Sequence, residues 1–149
     1  MNHIQLGDYL ITTDRSLLQV SDIHRWLSTK SYWAQGIPLE TVQRAFINSF
    51  VVGVIHKSRQ VGYARFITDY AVFAYLADVY VEEEHRGNGL SKAMMELLMG
   101  QSWMIGLRKL LLATLDAHGL YEQYGFKPLH FPERIMEITR MNLYQAENV

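Results

Sequence analysis

The sequence contains no cysteine, and this absence excludes several kinds of chemistry at once. Disulfide bonds, thiolate metal sites and a nucleophilic cysteine all need a residue that the chain lacks. Histidine occurs six times, but no pair shows the H-E-x-x-H spacing or a similar metal-ligating pattern. We therefore expect no metal in the site of this protein.

The chain also lacks a strong excess of charge and a long apolar run. Its 14 basic and 15 acidic residues leave a formal net charge of −1, so it offers no broad basic surface to nucleic acid. No apolar run has the roughly 20 residues of a membrane helix, and no signal peptide is visible. A cytoplasmic location is therefore expected. A length of 149 residues without linkers or repeats predicts a single domain over residues 1–149.

A short glycine-bearing turn separates a β-type run from an amphipathic helix. The run is Leu76–Val81, and the turn reads Arg86-Gly87-Asn88-Gly89-Leu90-Ser91. Apolar residues then recur at the spacing of one buried helical face, at Leu90, Met94, Leu97 and Leu98. Glycine lets a ligand approach the backbone closely, and the unpaired N–H groups at a helix start attract anions. The turn therefore predicts an anion site, most naturally for phosphate, with Arg86 as an added positive group.

Two motifs together resemble one known family. The turn is neither a P-loop nor the G-x-G-x-x-G fingerprint, but it resembles the Arg/Gln-x-x-Gly-x-Gly/Ala signature of the GNAT N-acetyltransferase superfamily. Arg86 and Gly89 match that signature, whereas Ser91 stands where glycine or alanine is usual. A second segment, Thr114–Pro128, resembles the late Leu-Tyr-Glu-x-x-Gly-Phe segment of the same family. The resemblance extends roughly over Phe50–Leu143.

The pattern along the chain predicts an α+β fold in the order β-α-α-β-β-β-α-β-α-β. Strands are expected at Tyr9–Thr12, Phe50–His56, Gln60–Ile67, Val72–Val81, Lys109–Thr114 and Met136–Leu143. Helices are expected from Ser21 to about Leu27, over Leu39–Ser49, after the glycine turn, and over Ala117–Tyr124. This order matches the GNAT fold, a mixed and mostly antiparallel sheet flanked by helices. The resemblance further implies that the two central strands splay apart and that the cofactor enters the gap.

The resemblance implies transfer of an acetyl group from acetyl-coenzyme A to a primary amine of a small molecule or protein. Because the chain has no cysteine, direct attack by the amine is the simple route. In the family the glycine loop holds the pyrophosphate of the cosubstrate, and strand N–H groups stabilise the oxyanion. The expected cofactor-binding residues are Val79, Tyr80, Val81, Arg86, Gly87, Asn88, Gly89, Leu90, Ser91, Thr114 and Tyr124.

Tyr121 matches the position that the family often uses as general acid toward the departing thiolate. A free tyrosine has a pKa of about 10 and a thiol about 8.5, so full proton transfer from Tyr121 is slightly uphill. A strong hydrogen bond to the sulfur would then be its contribution. Alternatively, the ring of Tyr121 anchors the short helix on the sheet. Tyr124 is the rival residue, although its ring is expected to pack on the core or the pantetheine arm.

The general base stays open from the sequence. Many relatives carry glutamate where this chain has Ala77, and the neighbouring Asp78 is expected to point to the opposite face of its strand. Asp78 is nevertheless one candidate base. Asp69, Glu82 and a water chain with no single base are the others.

The acceptor side is expected to involve the aromatic pair Tyr32-Trp33, in the loop between the first two helices, together with Arg65. Alternatively, the two aromatic residues cover the edge of the core. The partner is expected to be an amine, with no nucleic acid and no membrane, and the resemblance allows a homodimer.

Two other functions stay open. One is acetylation of an aminoacyl-tRNA amine, as some toxins of this fold perform, although a tRNA partner usually leaves a basic face. The other is a coenzyme A-binding sensor module without catalysis, because Ala77 replaces the usual acid.

Overall fold

A six-stranded mixed sheet supports the whole molecule in the computed structural model, which describes residues 2–145. The strands lie side by side in chain order, and the first four pairings are antiparallel while the last is parallel. They are β1 (His3–Leu6), β2 (Tyr9–Thr12), β3 (Phe50–His56), β4 (Arg59–Thr68), β5 (Phe73–Val81) and β6 (Lys109–Leu112). The predicted α+β class with a mostly antiparallel sheet is therefore confirmed.

Helices cover both faces of the sheet. They are α1 (Val20–Lys30), α2 (Leu39–Ile47), α3 (Leu90–Met99) and α4 (His118–Glu122). Successive strand side chains point to opposite faces, so Val52 joins the core under α3 while its neighbour Val51 joins the core under α1 and α2. Within residues 2–145, no helix is long and apolar enough to cross a membrane.

The two ends of the chain differ from the predicted order. β1 was not predicted from the sequence; it forms a hairpin with β2 through a turn where Gly7 has φ +59°. Most of β1 is exposed, so this edge strand shows no clear apolar alternation. The predicted last strand over Met136–Leu143 is wrong, because those residues form no strand. The alternating pattern is present there, but a strand needs a paired edge, and this segment pairs with none of the six strands.

β5 is irregular on both of its sides. Tyr63 pairs with Tyr80 and Arg65 pairs with Ala77, so Ala64 of β4 faces two residues of β5. Such an unequal pairing is a β-bulge, and Asp78 within it has φ +55°. On the other side, pairing of β5 with β6 ends at Leu76 and Leu112, although β5 continues to Val81. Within residues 2–145, the end of β5 is therefore unpaired on the side of β6, where the resemblance places the cofactor.

Candidate active site

A continuous cleft runs along the unpaired end of β5. It consists of three adjoining cavities of about 150, 370 and 560 Å³. The first and second share Val81, Arg86 and Ser91. The second and third share residues of β5, of the α1–α2 loop and of the segment around α4: Tyr32, Trp33, Val79, Asp116, Ala117 and Tyr121. The cleft thus joins the glycine turn to the aromatic loop predicted to wall the acceptor.

The glycine turn forms the narrow end of the cleft. Gly87 and Gly89 have φ +82° and +76°, a region that side chains rarely adopt, so the backbone itself requires glycine. Gly89 is the N-cap of α3, and the first N–H groups after it have no intrahelical partner. The cavity here is lined by Arg86 and Lys92 and by no acidic side chain. This end of the cleft is therefore suited to an anion.

Hydrogen bonds fix the shape of the glycine turn. Arg86 donates through Nε to the carbonyl oxygen of Val81 at 3.0 Å, so its guanidinium is oriented before any ligand arrives. The side-chain amide of Asn88 donates to the carbonyl oxygen of His85 at 2.9 Å. The hydroxyl of Tyr9 and Nδ1 of His85 are 2.9 Å apart. Of the predicted residues here, Leu90 contributes its side chain to the core and Ser91 lines two cavities of the cleft.

The two tyrosines near α4 occupy different surroundings. Tyr121 lines the second and third cavities of the cleft. Burial raises the pKa of Tyr121, and the Asp116 carboxylate raises it further. Tyr124 lies outside these three cavities, and its hydroxyl donates to the carbonyl oxygen of Lys92 at 3.1 Å. Desolvation raises the pKa of Tyr124 as well. Of these two tyrosines, only Tyr121 therefore lines the cleft.

Asp78 sits at the centre of a polar network. Its Oδ2 accepts from Nε of Arg65 at 2.7 Å, and its Oδ1 accepts from Nε1 of Trp33 at 2.8 Å. Arg65 also donates to the hydroxyl of Ser49 at 2.9 Å. Both side chains of the ion pair are largely buried. Each Asp78 oxygen thus already holds a partner, and the network ties β4, the β5 bulge and the α1–α2 loop together.

The other two acids considered as bases lie outside the cleft cavities. Asp69 accepts from the backbone N–H groups of Ala71, Val72 and Phe73. These bonds, those from Val72 and Ala71 foremost, lower the pKa of the Asp69 carboxyl. Glu82 forms an ion pair with Arg59, in which Oε2 accepts from Nη2 of Arg59 at 2.7 Å. Both carboxylates are thereby engaged in structural contacts.

Asp116 is a cleft acid that the sequence analysis missed. It is exposed and lines two cavities together with Tyr121. No hydrogen bond or ion pair of Asp116 occurs among residues 2–145. The sequence signal was its place inside the Thr114–Pro128 segment, five residues before Tyr121. Thr114 itself accepts from the N–H of Ala117 at 3.0 Å and also lines the cleft.

Aromatic rings form the wall of the cleft opposite α4. Tyr32 and Trp33 are 67% and 42% exposed, and their rings meet edge to face at 4.9 Å. Trp33 also contacts Trp26, whose ring stacks on Tyr80 at 4.2 Å. Trp26 and Lys30 line the second cavity and were not expected there. Lys30 is the last residue of α1, and its place in the cleft depends on how the α1–α2 loop packs against β5, which the sequence does not show.

Comparison with known proteins agrees with this geometry. Residues 48–128 match the acetyltransferase (GNAT) domain. A Xanthomonas campestris pv. campestris structure, assigned to the GNAT family of acetyltransferases, is 48% identical with a TM-score of 0.90, over 95% of this chain and 100% of that one. A Gibberella zeae protein, named as an acetyltransferase, is 35% identical over 142 residues, with 81% of this chain and 80% of that protein covered.

A more distant structure shares the fold. An acetyltransferase from Clostridium acetobutylicum, solved with acetyl-CoA, is 21% identical with a TM-score of 0.61, over 88% of this chain and 94% of that one. Fold, cleft and comparisons together define an acyltransferase. The chain belongs to the GNAT family of acetyltransferases, a family that uses acetyl-CoA and acts on amine acceptors.

Proposed function

We propose that this protein transfers an acetyl group from acetyl-CoA to a primary amine by direct attack of that amine. The observation that supports this most is the continuous cleft. It has an anion-suited glycine turn at one end, a gap beside β5 in the middle and an aromatic wall at the other end. A pyrophosphate-bearing thioester and an amine could meet in such a cleft from opposite ends.

The glycine turn is the proposed site of the pyrophosphate. Arg86, the N–H groups at the start of α3 and the hydroxyl of Ser91 would provide hydrogen bonds to its oxygens. Ser91 departs from the usual small residue of the motif, but its hydroxyl adds a donor. A Clostridium acetobutylicum protein of the same fold was solved with acetyl-CoA, which supports acetyl-CoA as the ligand.

The N–H groups of Val79 to Val81 that face away from β4 are the proposed oxyanion donors. Acetyl-CoA supplies an electrophilic thioester carbonyl, whose oxygen gains negative charge when the amine attacks. The β5 backbone beyond Leu76 no longer pairs with β6, and the bulge at Asp78 changes its course. Backbone donors at the gap are held by the sheet and need little reorganisation, which is the condition for strong stabilisation of a developing charge.

Tyr121 is proposed to act on the departing sulfur. Because burial raises the pKa of Tyr121, its phenol keeps its proton at neutral pH. A thiol has a pKa of about 8.5, so the sulfur can leave as a thiolate that accepts a hydrogen bond from Tyr121. We therefore assign Tyr121 as a hydrogen-bond donor to the leaving group rather than as a full proton donor.

Asp116 is proposed to attract the ammonium form of the acceptor and to accept a proton from its nitrogen after attack. Free alkyl amines are protonated near neutral pH, with a pKa of about 10.4. The Asp116 carboxylate, which has no partner among residues 2–145, attracts that ammonium group. The ammonium group first releases one proton to water, and the resulting neutral amine attacks the thioester carbonyl. Its nitrogen becomes much more acidic once it bonds to the carbonyl carbon. Asp116 can accept that proton and pass it to water, while Asp78 stays engaged with Arg65 and Trp33.

Thiol release from acetyl-CoA in the presence of a panel of amines tests the proposal. We expect release with at least one amine and little without an acceptor. Asp116→Asn should lower kcat/KM by about 10²-fold, the usual range for a general acid or base. Asp8→Asn, in the exposed β1–β2 turn, removes the same charge away from the cleft and should leave kcat/KM unchanged. Binding without release for every amine would contradict the proposal.

A further inference from the structure

The third cavity of the cleft, of about 560 Å³, offers no free positive charge. Within residues 2–145, no lysine, arginine or histidine lines it. The guanidinium of Arg65, which contacts Asp78 of the cavity wall at 2.7 Å, is compensated by that carboxylate. Lys30 lines the second cavity but not the third. A carboxylate or phosphate group on an acceptor would therefore find no cationic partner there.

One unpartnered acid faces the same cavity. Asp116 lines it and makes no hydrogen bond or ion pair among residues 2–145. Burial raises the pKa of Tyr121 and the Asp116 carboxylate raises it further, so that carboxylate lies near the Tyr121 phenol. Asp78, the other acid of the wall, is engaged by Arg65 and Trp33. The excess negative charge attracts one ammonium group and repels an anion.

The rest of the wall is aromatic and apolar. The bond from Nε1 of Trp33 to Asp78 at 2.8 Å fixes the indole ring, which is still partly exposed. Tyr32 meets that ring edge to face, and Tyr75 of β5 also lines the cavity. Three small side chains leave space between these rings: Ala77, Ala113 and Ala117. Exposed aromatic rings around such a space favour a flat aromatic body.

We propose that the acceptor is an arylalkylamine, a primary amine on a short alkyl chain that carries an aromatic ring and no carboxylate or phosphate group. This inference rests on the proposed acetyl transfer and names its acceptor class. The ammonium group would lie at Asp116 and the ring against Trp33 and Tyr32. Transfer forms the amide bond, breaks the thioester and releases coenzyme A and one proton.

Two other classes of amine fit the cavity less well. An α-amino acid with the same ring would bring its carboxylate beside Asp116, where no cation compensates it. A diamine would leave its second ammonium group among apolar side chains, because Asp78 is already paired. The charges of the cavity therefore select for a single ammonium group on an apolar body.

Phenethylamine and phenylalanine differ only in the carboxylate and so test the acceptor class. In thiol release from acetyl-CoA, we expect kcat/KM to be at least about tenfold higher for phenethylamine, because an uncompensated charge is costly in the cavity. Putrescine, which has a second ammonium group in place of the ring, should also be the poorer acceptor. Equal or higher kcat/KM for phenylalanine or putrescine would overturn the inference and leave the acetyl transfer intact.

Tyr32→Ala tests the place of the ring. The Tyr32 side chain is exposed and makes no hydrogen bond among residues 2–145, so the fold should survive. The KM for phenethylamine should rise about fivefold, the effect of one lost aromatic contact, while kcat and the KM for propylamine stay unchanged. Phe131→Ala, at a residue as exposed as Trp33 but outside the cleft cavities, is the control. An unchanged KM for phenethylamine in Tyr32→Ala would contradict this placement.

Calorimetric titration of each amine in the presence of excess coenzyme A separates the two claims, because binding needs no turnover. Phenethylamine should bind, and phenylalanine should bind at least about tenfold more weakly. No thiol release with any amine would contradict the acetyl transfer, whereas selective binding of phenethylamine would still support the acceptor class. No binding of phenethylamine, or equal binding of both amines, would overturn the inference.

Discussion

At the residue scale, the cleft separates side chains that look equivalent in the sequence. Tyr121 and Tyr124 stand three residues apart, yet Tyr121 lines the cleft and Tyr124 donates to α3. Asp78 and Asp116 are both acids near the gap, yet Asp78 is held by Arg65 and Trp33 while Asp116 faces the cleft. Contacts, rather than residue type, therefore decide which side chain is proposed for which step.

Tyr121→Phe should lower the turnover number by about 10-fold or more, because it removes the hydrogen bond to the departing sulfur. The dissociation constant of acetyl-CoA should change little, since the ring remains in place. Tyr124→Phe, which loses only the bond to Lys92, is the matched control and should keep most of the turnover. Normal turnover in Tyr121→Phe with lost turnover in Tyr124→Phe would show that the roles are exchanged.

Tyr80 should make the fold sensitive to alkaline pH. Its hydroxyl is buried with no partner among residues 2–145, and burial raises the pKa of Tyr80 above its ordinary value. Above pH 10 the unfolded tyrosine releases its proton while the native one keeps it, so the free energy of unfolding falls as pH rises. The loss approaches about 1.4 kcal/mol per pH unit for one such group.

Tyr80→Phe removes this titration without a loss of ring packing on Trp26. We expect the variant to be as stable as wild type at pH 8, or slightly more stable, because no hydrogen bond is lost. At pH 11 it should exceed wild type clearly in urea unfolding. Equal losses of stability in both proteins between pH 8 and pH 11 would rule out this role of Tyr80.

At the element scale, short local motifs were predictable and long-range pairings were not. The glycine turn was evident because glycine spacing and helix periodicity are properties of neighbouring residues. The bulge at Asp78 depends on how β4 and β5 align. The expectation that Asp78 and Ala77 point to opposite faces of the sheet assumed a regular strand. The prediction of a last strand was wrong for a similar reason, since alternation over Met136–Leu143 does not show whether a strand edge is available for pairing. Asp116 was missed because the loop that faces it lies far away in the sequence.

The glycine turn should tolerate no side chain at Gly89, the N-cap of α3. Gly89→Ala places a Cβ at φ +76°, which costs about 1–2 kcal/mol, and the turn should shift to relieve it. Affinity for acetyl-CoA should fall while the bulk of the fold stays intact. Gly106→Ala is the matched control, because no heavy atom lies within 4 Å of its added Cβ and its φ is not positive. Equal affinities for both variants would show that the turn conformation is unimportant.

The network around Asp78 should contribute to stability rather than to proton transfer. Asp78→Asn leaves Arg65 without its counter-charge in a largely buried place and should cost about 1–3 kcal/mol of unfolding free energy. Trp33 should also become more mobile, which a change in tryptophan fluorescence would report. The pH dependence of kcat/KM should keep its shape. Loss of one limb of that profile with an unchanged melting temperature would instead identify Asp78 as the base.

At the scale of the whole molecule, the cleft is assembled from parts that are distant in the chain. The glycine turn follows β5, the aromatic wall lies between α1 and α2, and Asp116 precedes α4. The sheet brings them together, and in the proposed reaction the acyl group lies beside the unpaired end of β5, between the two ends. The family resemblance predicted roles for the glycine turn and the aromatic loop but not for Asp116, whereas composition and periodicity alone indicated only an α+β fold with an anion site.

Calorimetric titration of acetyl-CoA into the purified protein tests the central claim most directly. We expect saturable binding by wild type and at least about tenfold weaker binding by Arg86→Ala, because a charged hydrogen bond to phosphate contributes roughly 1.5–3 kcal/mol. Arg44→Ala removes the same charge from an exposed position on α2 and should bind as wild type does. No binding by wild type, or equal binding by Arg86→Ala and wild type, would contradict an acetyl-CoA site anchored at the glycine turn.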